Sequence, residues 1–339
     1  MEVRERMVRL LVALALLVTL PSCGSCPPCE AHTAKPVVVP APAATSAAEA
    51  EVEAPARPRL EAVKLLDMAD PDARVLLYAD IGAARESRVF TGVASIVATS
   101  DRMLRQAPKR CRLSLADLFS RVVFSLGDTS DDEALLIAEL AVGADQVLTC
   151  LKILDSHYEE GTVAGHAALV HGNGHRRTVA LEADGFFFIG GERQVKLALG
   201  RAKATSAGPR VNTRALLEKQ MGGIAAVVAS DFEELELAVG KLDLVGQRIS
   251  ISGSIRFRSR DTTDTPQAAR LLRDLKRAQR EAEREAIKLF GAGHPIVGQI
   301  RKARFHIHGS QVDFEVALEP DAKVAAAIES EARQQLERY

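Results

Sequence analysis

The chain reads as an α+β protein built on antiparallel sheet, behind a leader and a spacer. Three observations predict this. Alternation of apolar and polar residues with period two is clean in "QRISISGSIRFRS" (247–259), where Ile249, Ile251, Ile255 and Phe257 share one face and arginines and serines the other. Asn173-Gly174 and Asp184-Gly185 stand between apolar runs, which is hairpin chemistry. Helical stretches fall between groups of strands rather than after every strand, which disfavours a parallel βαβ sheet.

Residues 1–22 have the layout of an export signal: Arg4, Arg6 and Arg9, then the apolar run "LLVALALLVTL" from Leu10 to Leu20, then small residues. At 1.5 Å per residue the run spans roughly 16 Å, about half a bilayer core, too short for a permanent membrane span. The segment closes on "LPSC", with Leu20 third before the cysteine, Ser22 immediately before it, and Cys23 as acceptor. This resembles the lipobox of bacterial lipoproteins. The resemblance implies diacylglyceryl transfer to the Cys23 thiol, cleavage before Cys23 and fatty acylation, as with palmitate, of the new amino group. The implied partner is the membrane itself, and the lipid on Cys23 is the sole cofactor expected. Gly24 in place of Asp at the next position favours the periplasmic face of the outer membrane.

Cys26 and Cys29 extend the pattern to C-x-x-C-x-x-C, with His32 behind. A metal or iron–sulfur cage needs a folded scaffold and reduced thiols. Here the thiols lie in residues 23–60, a Pro- and Ala-rich tract ("KPVVVPAPAATSAAEAEVEAPARPR") too poor in large apolar side chains to fold. Cys26 and Cys29 are therefore read as a small local disulfide or as spectators. "CPPC" also resembles the thioredoxin-like redox motif, but without the βαβ setting that motif requires.

The globular body divides at "SAGPR" (206–210) into 61–205 and 206–339, as two related halves. In the first, "VLLYAD" is a buried strand, a helical stretch runs from about 81 to 104, and a short helix lies near "SLADLFSR". Strands follow at 122–126 and 134–140, with a helix over 144–154. Residues 162–190 read as a meander of "TVAGHAALV", "RRTVALEA" and "FFFIG", with a helix from Glu192. The second half has a helix near 212–220, a strand at 224–230 and the alternating strand at 247–259. Thr265-Pro266 opens a long helix to about Phe290. "ARFHIHGSQVDFEVAL" is a hairpin whose Gly309-Ser310 turn pairs Ile307 with Val312 and Phe305 with Phe314. A last amphipathic helix runs from Asp321 to Leu336. In its general run the body resembles uncharacterised domains of bacterial envelope proteins, in which a strand such as "LLYADI" precedes a helix and a late meander ends in "GFFFIGG". That likeness implies no chemistry.

Composition narrows the function classes. The formal net charge is −1 with no charged block, so no nucleic-acid footprint is present. With no Trp, three Tyr and eleven Phe, stacking platforms for bases or sugars are hard to assemble. No G-x-S-x-G, H-E-x-x-H, P-loop or dinucleotide fingerprint occurs.

Three groups of residues could carry chemistry. His306 and His308 share a strand face, and the hairpin register sets His306 opposite Asp313, a donor set for Zn²⁺ or simply cross-strand polar pairs. His166, His171 and His175 flank "HGNGH", but no cysteine or carboxylate completes a recognised ligand spacing, so they read as exposed turn residues. Cys111 and Cys150, the cysteines of the body, are candidates for a disulfide closing a loop of about 40 residues, or for two separate buried thiols. The expectation is a lipid-anchored envelope protein with a non-enzymatic binding or structural body that meets an envelope protein partner. The alternative is a periplasmic metal-dependent enzyme or metal binder on the face of His306, His308 and Asp313.

Overall fold

In a computed structural model of the chain the described residues are 64–70, 73–85, 87, 102–127, 134–172, 177–203, 211–221, 223–232, 235–258, 266–327 and 330. The expected leader, the three N-terminal cysteines, the expected spacer and the seam expected at 206–210 lie outside them.

The fold is α+β. Among the described residues twelve strands form one sheet: β1 Val75–Asp80, β2 Phe119–Leu126, β3 Ala134–Leu140, β4 Glu159–Val163, β5 His166–His171, β6 Thr178–Ala183, β7 Phe186–Gly191, β8 Ala225–Phe232, β9 Leu235–Val245, β10 Arg248–Phe257, β11 Arg304–His308 and β12 Gln311–Leu318. Their order is β11-β12-β10-β9-β8-β1-β2-β3-β7-β6-β5-β4, and every pairing is antiparallel. The helices are α1 Ile81–Ala84, α2 Arg102–Cys111, α3 Leu115–Leu118, α4 Ala144–Leu154, α5 Glu192–Lys203, α6 Val211–Gln220, α7 Pro266–Phe290 and α8 Pro295–Arg301. A further helical stretch covers 322–327. Among the described residues no helix is long and apolar enough to cross a membrane.

One plan is used twice about the β1/β8 pair. β1, β2 and β3 run outward as a meander, α4 crosses to the far edge, and β4 to β7 walk back until β7 pairs with β3. On the other side β8, β9 and β10 run outward, α7 and α8 follow, and β11 and β12 return until β12 pairs with β10. Because β1 and β8 are antiparallel neighbours, the order β8-β9-β10-β12-β11 matches β1-β2-β3-β7-β6 after a half-turn about the sheet normal, the first side adding β4, β5 and the helices between β1 and β2.

The sheet around β1 to β7 is covered on both faces. Leu76, Tyr78, Val123, Ile137, Leu181 and Phe188 pack against Leu65, Leu66, Val195, Leu199 and Leu217 on one side. Val122, Ala138, Ala180 and Phe187 meet Ala107, Val147 and Cys150 on the other. This is why β7 reads as the unbroken apolar run "FFFIGG" rather than as an alternation. Phe187 and Phe188 point to opposite faces and both are fully buried, each contributing about 2–3 kcal/mol. Toward β11 one face dries and the other stays wet. Ile249, Ile251, Val312 and Leu318 are buried, while Arg256, His306, His308 and Glu315 on the opposite face are exposed. Arg201 of α5, nearly buried, donates to the carbonyls of Met68 (3.0 Å) and Ala69 (2.6 Å) and fastens the 64–70 segment to the sheet layer.

Several expected elements correspond to those observed: α4, α7 and β3 run as read, and the β11/β12 register is Ile307 to Val312, Phe305 to Phe314 and His306 to Asp313. The run "TVAGHAALV" is instead two strands. Ala164 (φ 50°) and Gly165 (φ 88°) make a two-residue turn between β4 and β5, and nothing in the sequence marks an alanine for positive φ. β9 and α8 are additions to the expected set. The helix expected over 81–104 is interrupted: α1 closes on Arg85 as its C-cap, Ser87 is not helical, and α2 starts at Arg102, while 86 and 88–101 lie outside the described residues.

Candidate functional site

The side chains with the most concerted polar geometry gather where α4 ends against the end of β5, one strand in from the sheet edge. α4 buries Val147 and Cys150 and stops at Leu154; the Asp155 N–H still donates to the Leu151 carbonyl, while Asp155 itself turns extended at φ −140°. Its side chain then takes over the work of the helix end. Asp155 Oδ1 accepts the His157 backbone N–H at 3.0 Å and lies 2.8 Å from His157 Nδ1. The next residue, Tyr158, sends its N–H back to the Asp155 carbonyl at 3.3 Å and packs its ring into the core layer.

The third member arrives through the β4–β5 hairpin. His171, the last residue of β5, lies on the same sheet face as buried Leu169, under the end of α4. Its Nε2 is 3.4 Å from Asp155 Oδ2, so the carboxylate turns one oxygen to each imidazole. The two rings stand edge to face at 6.0 Å, and Tyr158 lies tilted against His171 at 5.2 Å. The Asp155 carboxyl is held below the usual carboxylate value, first by the His157 amide, then by the His157 ring, with smaller help from His171. Burial, reinforced by the Asp155 charge, pushes the Tyr158 phenol up. His157 is 81% exposed, His171 39% and Asp155 27%, so the trio is open to solvent but oriented from below.

Among the described residues, Asp155, His157 and His171 are the group of His, Cys and carboxylate side chains whose ligand atoms all fall within 4.8 Å of one another. Sequence reasoning singles out His171 and finds no carboxylate to complete a spacing. The fold supplies one from outside the motif. The signal that could have found it is "LDSHY": a D-x-H at a helix end, one hairpin away from the next histidine. His166 sits on the opposite face of β5, by strand parity, and His175 lies outside the described residues.

The other expected set does not converge. His306 and His308 stack along β11 with ring centroids 6.5 Å apart, and His308 Nε2 is 3.9 Å from Asp313 Oδ2. Asp313 Oδ1 is occupied by Gln311, which donates to it at 2.7 Å. These are rungs of a solvated ladder that also includes Arg304 beside Glu315. Cys111, the last residue of α2, and Cys150 of α4 are joined by a disulfide with Cα atoms 5.5 Å apart. It anchors the helix whose end presents Asp155.

Fold and site together define an α+β protein on a single antiparallel sheet, with a small histidine–carboxylate cluster near one edge. No family model and no curated protein matches the chain. Among solved structures, crystal form III of TP0453 is similar at 13% identity and a TM-score of 0.46, over 78% of this chain and 97% of that one. Crystal form I of the same protein gives 13% and 0.43, over 78% and 96%.

Proposed function

We propose that this is a lipid-anchored protein of the bacterial cell envelope. Cys23 carries the lipid, residues 24–60 act as a spacer, and the α+β body is a non-enzymatic binding or structural domain that faces the periplasm from the outer membrane. The observation that supports the reading is the run of basic n-region, "LLVALALLVTL" and "LPSC" in the first 23 residues. One acyl chain holds a protein at a membrane only reversibly, whereas the two or more that a lipobox implies anchor it stably, at about 0.8 kcal/mol per buried methylene. The spacer, if coiled, sets the body about 35 Å from the surface, and about 110 Å as extended polyproline II.

Labelled palmitate supplied to expressing cells tests this directly. Label is expected in the wild type, together with fractionation into the membrane, and both are expected to vanish in Cys23→Ala. A wild-type protein that is unlabelled, with the Cys23 thiol unmodified by mass spectrometry, would sink the reading.

A further inference from the structure

We propose that Asp155, His157 and His171 form a binding site for a first-row divalent transition ion of the Zn²⁺ type. Two imidazoles and one carboxylate are the donor set that borderline cations prefer over Ca²⁺ or Mg²⁺, which take oxygen alone. All three ligand atoms lie within 4.8 Å of one another, and one of the distances already matches a ligand shell. Bond lengths of about 2.0–2.1 Å in a tetrahedral site place ligand atoms about 3.3 Å apart. His171 Nε2 and Asp155 Oδ2 are 3.4 Å apart, and His157 Nδ1 and Asp155 Oδ1, at 2.8 Å, need only a small rotation of an exposed ring to open.

The arrangement is also prepared from behind. The His157 amide fixes the carboxylate, Tyr158 packs on the His171 ring, and the Cys111–Cys150 disulfide ties down the helix that delivers Asp155. Three protein ligands with solvent on the open side leave a fourth position for water or for a group from a partner. The ladder of His306, His308 and Asp313 has no such convergence, so the two places make opposite forecasts.

The test is a titration with Zn²⁺ alone, by calorimetry and by thermal unfolding. It uses the full chain carrying Cys23→Ser, Cys26→Ser and Cys29→Ser, so that free thiols contribute nothing. One equivalent of Zn²⁺ is expected to bind, with a rise in Tm that EDTA reverses. Loss of a supporting group around a metal commonly weakens binding 10–100-fold, so loss of a ligand in His171→Ala or Asp155→Asn is expected to cost roughly ten-fold or more. His306→Ala/His308→Ala is expected to bind as the parent does. His157 is exposed and His171 half-buried, so His157→Ala/His171→Ala should keep the parent's circular dichroism and a metal-free Tm only slightly below the parent's, which separates lost binding from lost folding. Absence of saturable binding in the parent, or unchanged affinity in that double variant, overturns the proposal. So does loss of binding in the His306/His308 variant alone.

Discussion

His294 Nε2 lies 3.1 Å from Asp321 Oδ2, and this single contact joins the starts of two helices. His294 is the N-cap of α8: its Nδ1 accepts the Ile296 N–H at 3.3 Å, with Pro295 at the first helical position. A ring nitrogen that accepts leaves the ring proton on the other nitrogen, so Nε2–H donates to Asp321. Asp321 in turn caps the terminal helical stretch, Oδ1 accepting the Val324 N–H at 2.9 Å. The imidazole is nearly buried and packs at a tilt against Phe290 at the end of α7, so three helices meet on one ring. His294→Ala removes one cap and the donor to the other, and is expected to destabilise by about 1–2 kcal/mol. His294→Asn keeps a competent cap but cannot reach Asp321, and should recover part of the loss. Urea midpoints of the three proteins check the order.

The same pair contributes to the acid limb of stability, alongside the depressed carboxyls of Asp155, Glu160 and Glu192. The Asp321 carboxyl is held below its ordinary 3.8, first by the Val324 amide and, more weakly, by His294 and the Lys323 amide, with burial opposing. A carboxylate depressed in the folded state contributes stability that is fully present above its unfolded value and is lost as pH falls through the lower folded value. Tm should therefore fall below about pH 4, and Asp321→Asn, which can still cap but neither carries the charge nor titrates, should start from a lower Tm at pH 7 and show a shallower fall, so that the two proteins converge in acid. An identical Tm–pH profile for wild type and Asp321→Asn would remove Asp321 from the account.

Gly253 is a packing position. It pairs with Gly240 on one side and Phe314 on the other, and a Cβ there would overlap the Val239 carbonyl oxygen and stand 2.7 Å from Phe314 Cζ. The phenyl ring occupies the space that two adjacent glycines leave open. Gly253→Ala is expected to cost about 1–3 kcal/mol, since backbone rather than a flexible side-chain tip must give way. At Gly200 of α5 an added methyl would meet nothing within 4 Å, and Gly200→Ala should stabilise by roughly 0.5–1 kcal/mol. Opposite signs for the two substitutions, read by chemical denaturation, are the outcome to look for.

What the sequence disclosed follows from how each element is buried. β10 and the β11/β12 hairpin have one wet face, so their alternation shows, and Gly309, at φ 61°, sets the register. α7 shows its Ala268, Leu275, Ala282 and Ala286 stripe against charges. β9 hid because its environment changes along its length. Leu237 and Val239 pack on the first core, but Lys241 and Asp243 on the same side pair with each other at the open end, and Gly240 interrupts the other side. α8 hid behind a histidine cap and an internal glycine, Gly298. The site was half legible: His171 stands out beside its turn, while Asp155 and His157 lie between the helix over 144–154 and the meander, in a stretch to which the sequence alone assigns no role. Only the path of β4 and β5 back under α4 brings the two together, and no local pattern encodes that return.

The Cys111–Cys150 bond should matter to stability and to the site in separable ways. The cysteines are 39 residues apart, and closing such a loop restricts the unfolded chain by about 4 kcal/mol in the entropic treatment. Cys111→Ala/Cys150→Ala is expected to lose about 2–4 kcal/mol, seen as a lower guanidinium midpoint, and reductant should shift the wild type but not the variant. Cys150 is buried between α4 and the sheet, five residues before Asp155, so the variant also loosens the helix end that presents the carboxylate. Under conditions where the variant is still folded by circular dichroism, its Zn²⁺ affinity should fall less than that of His171→Ala, because the ligands remain and only their positioning suffers. A midpoint that does not respond to reductant in the wild type would show that the bond contributes nothing to stability.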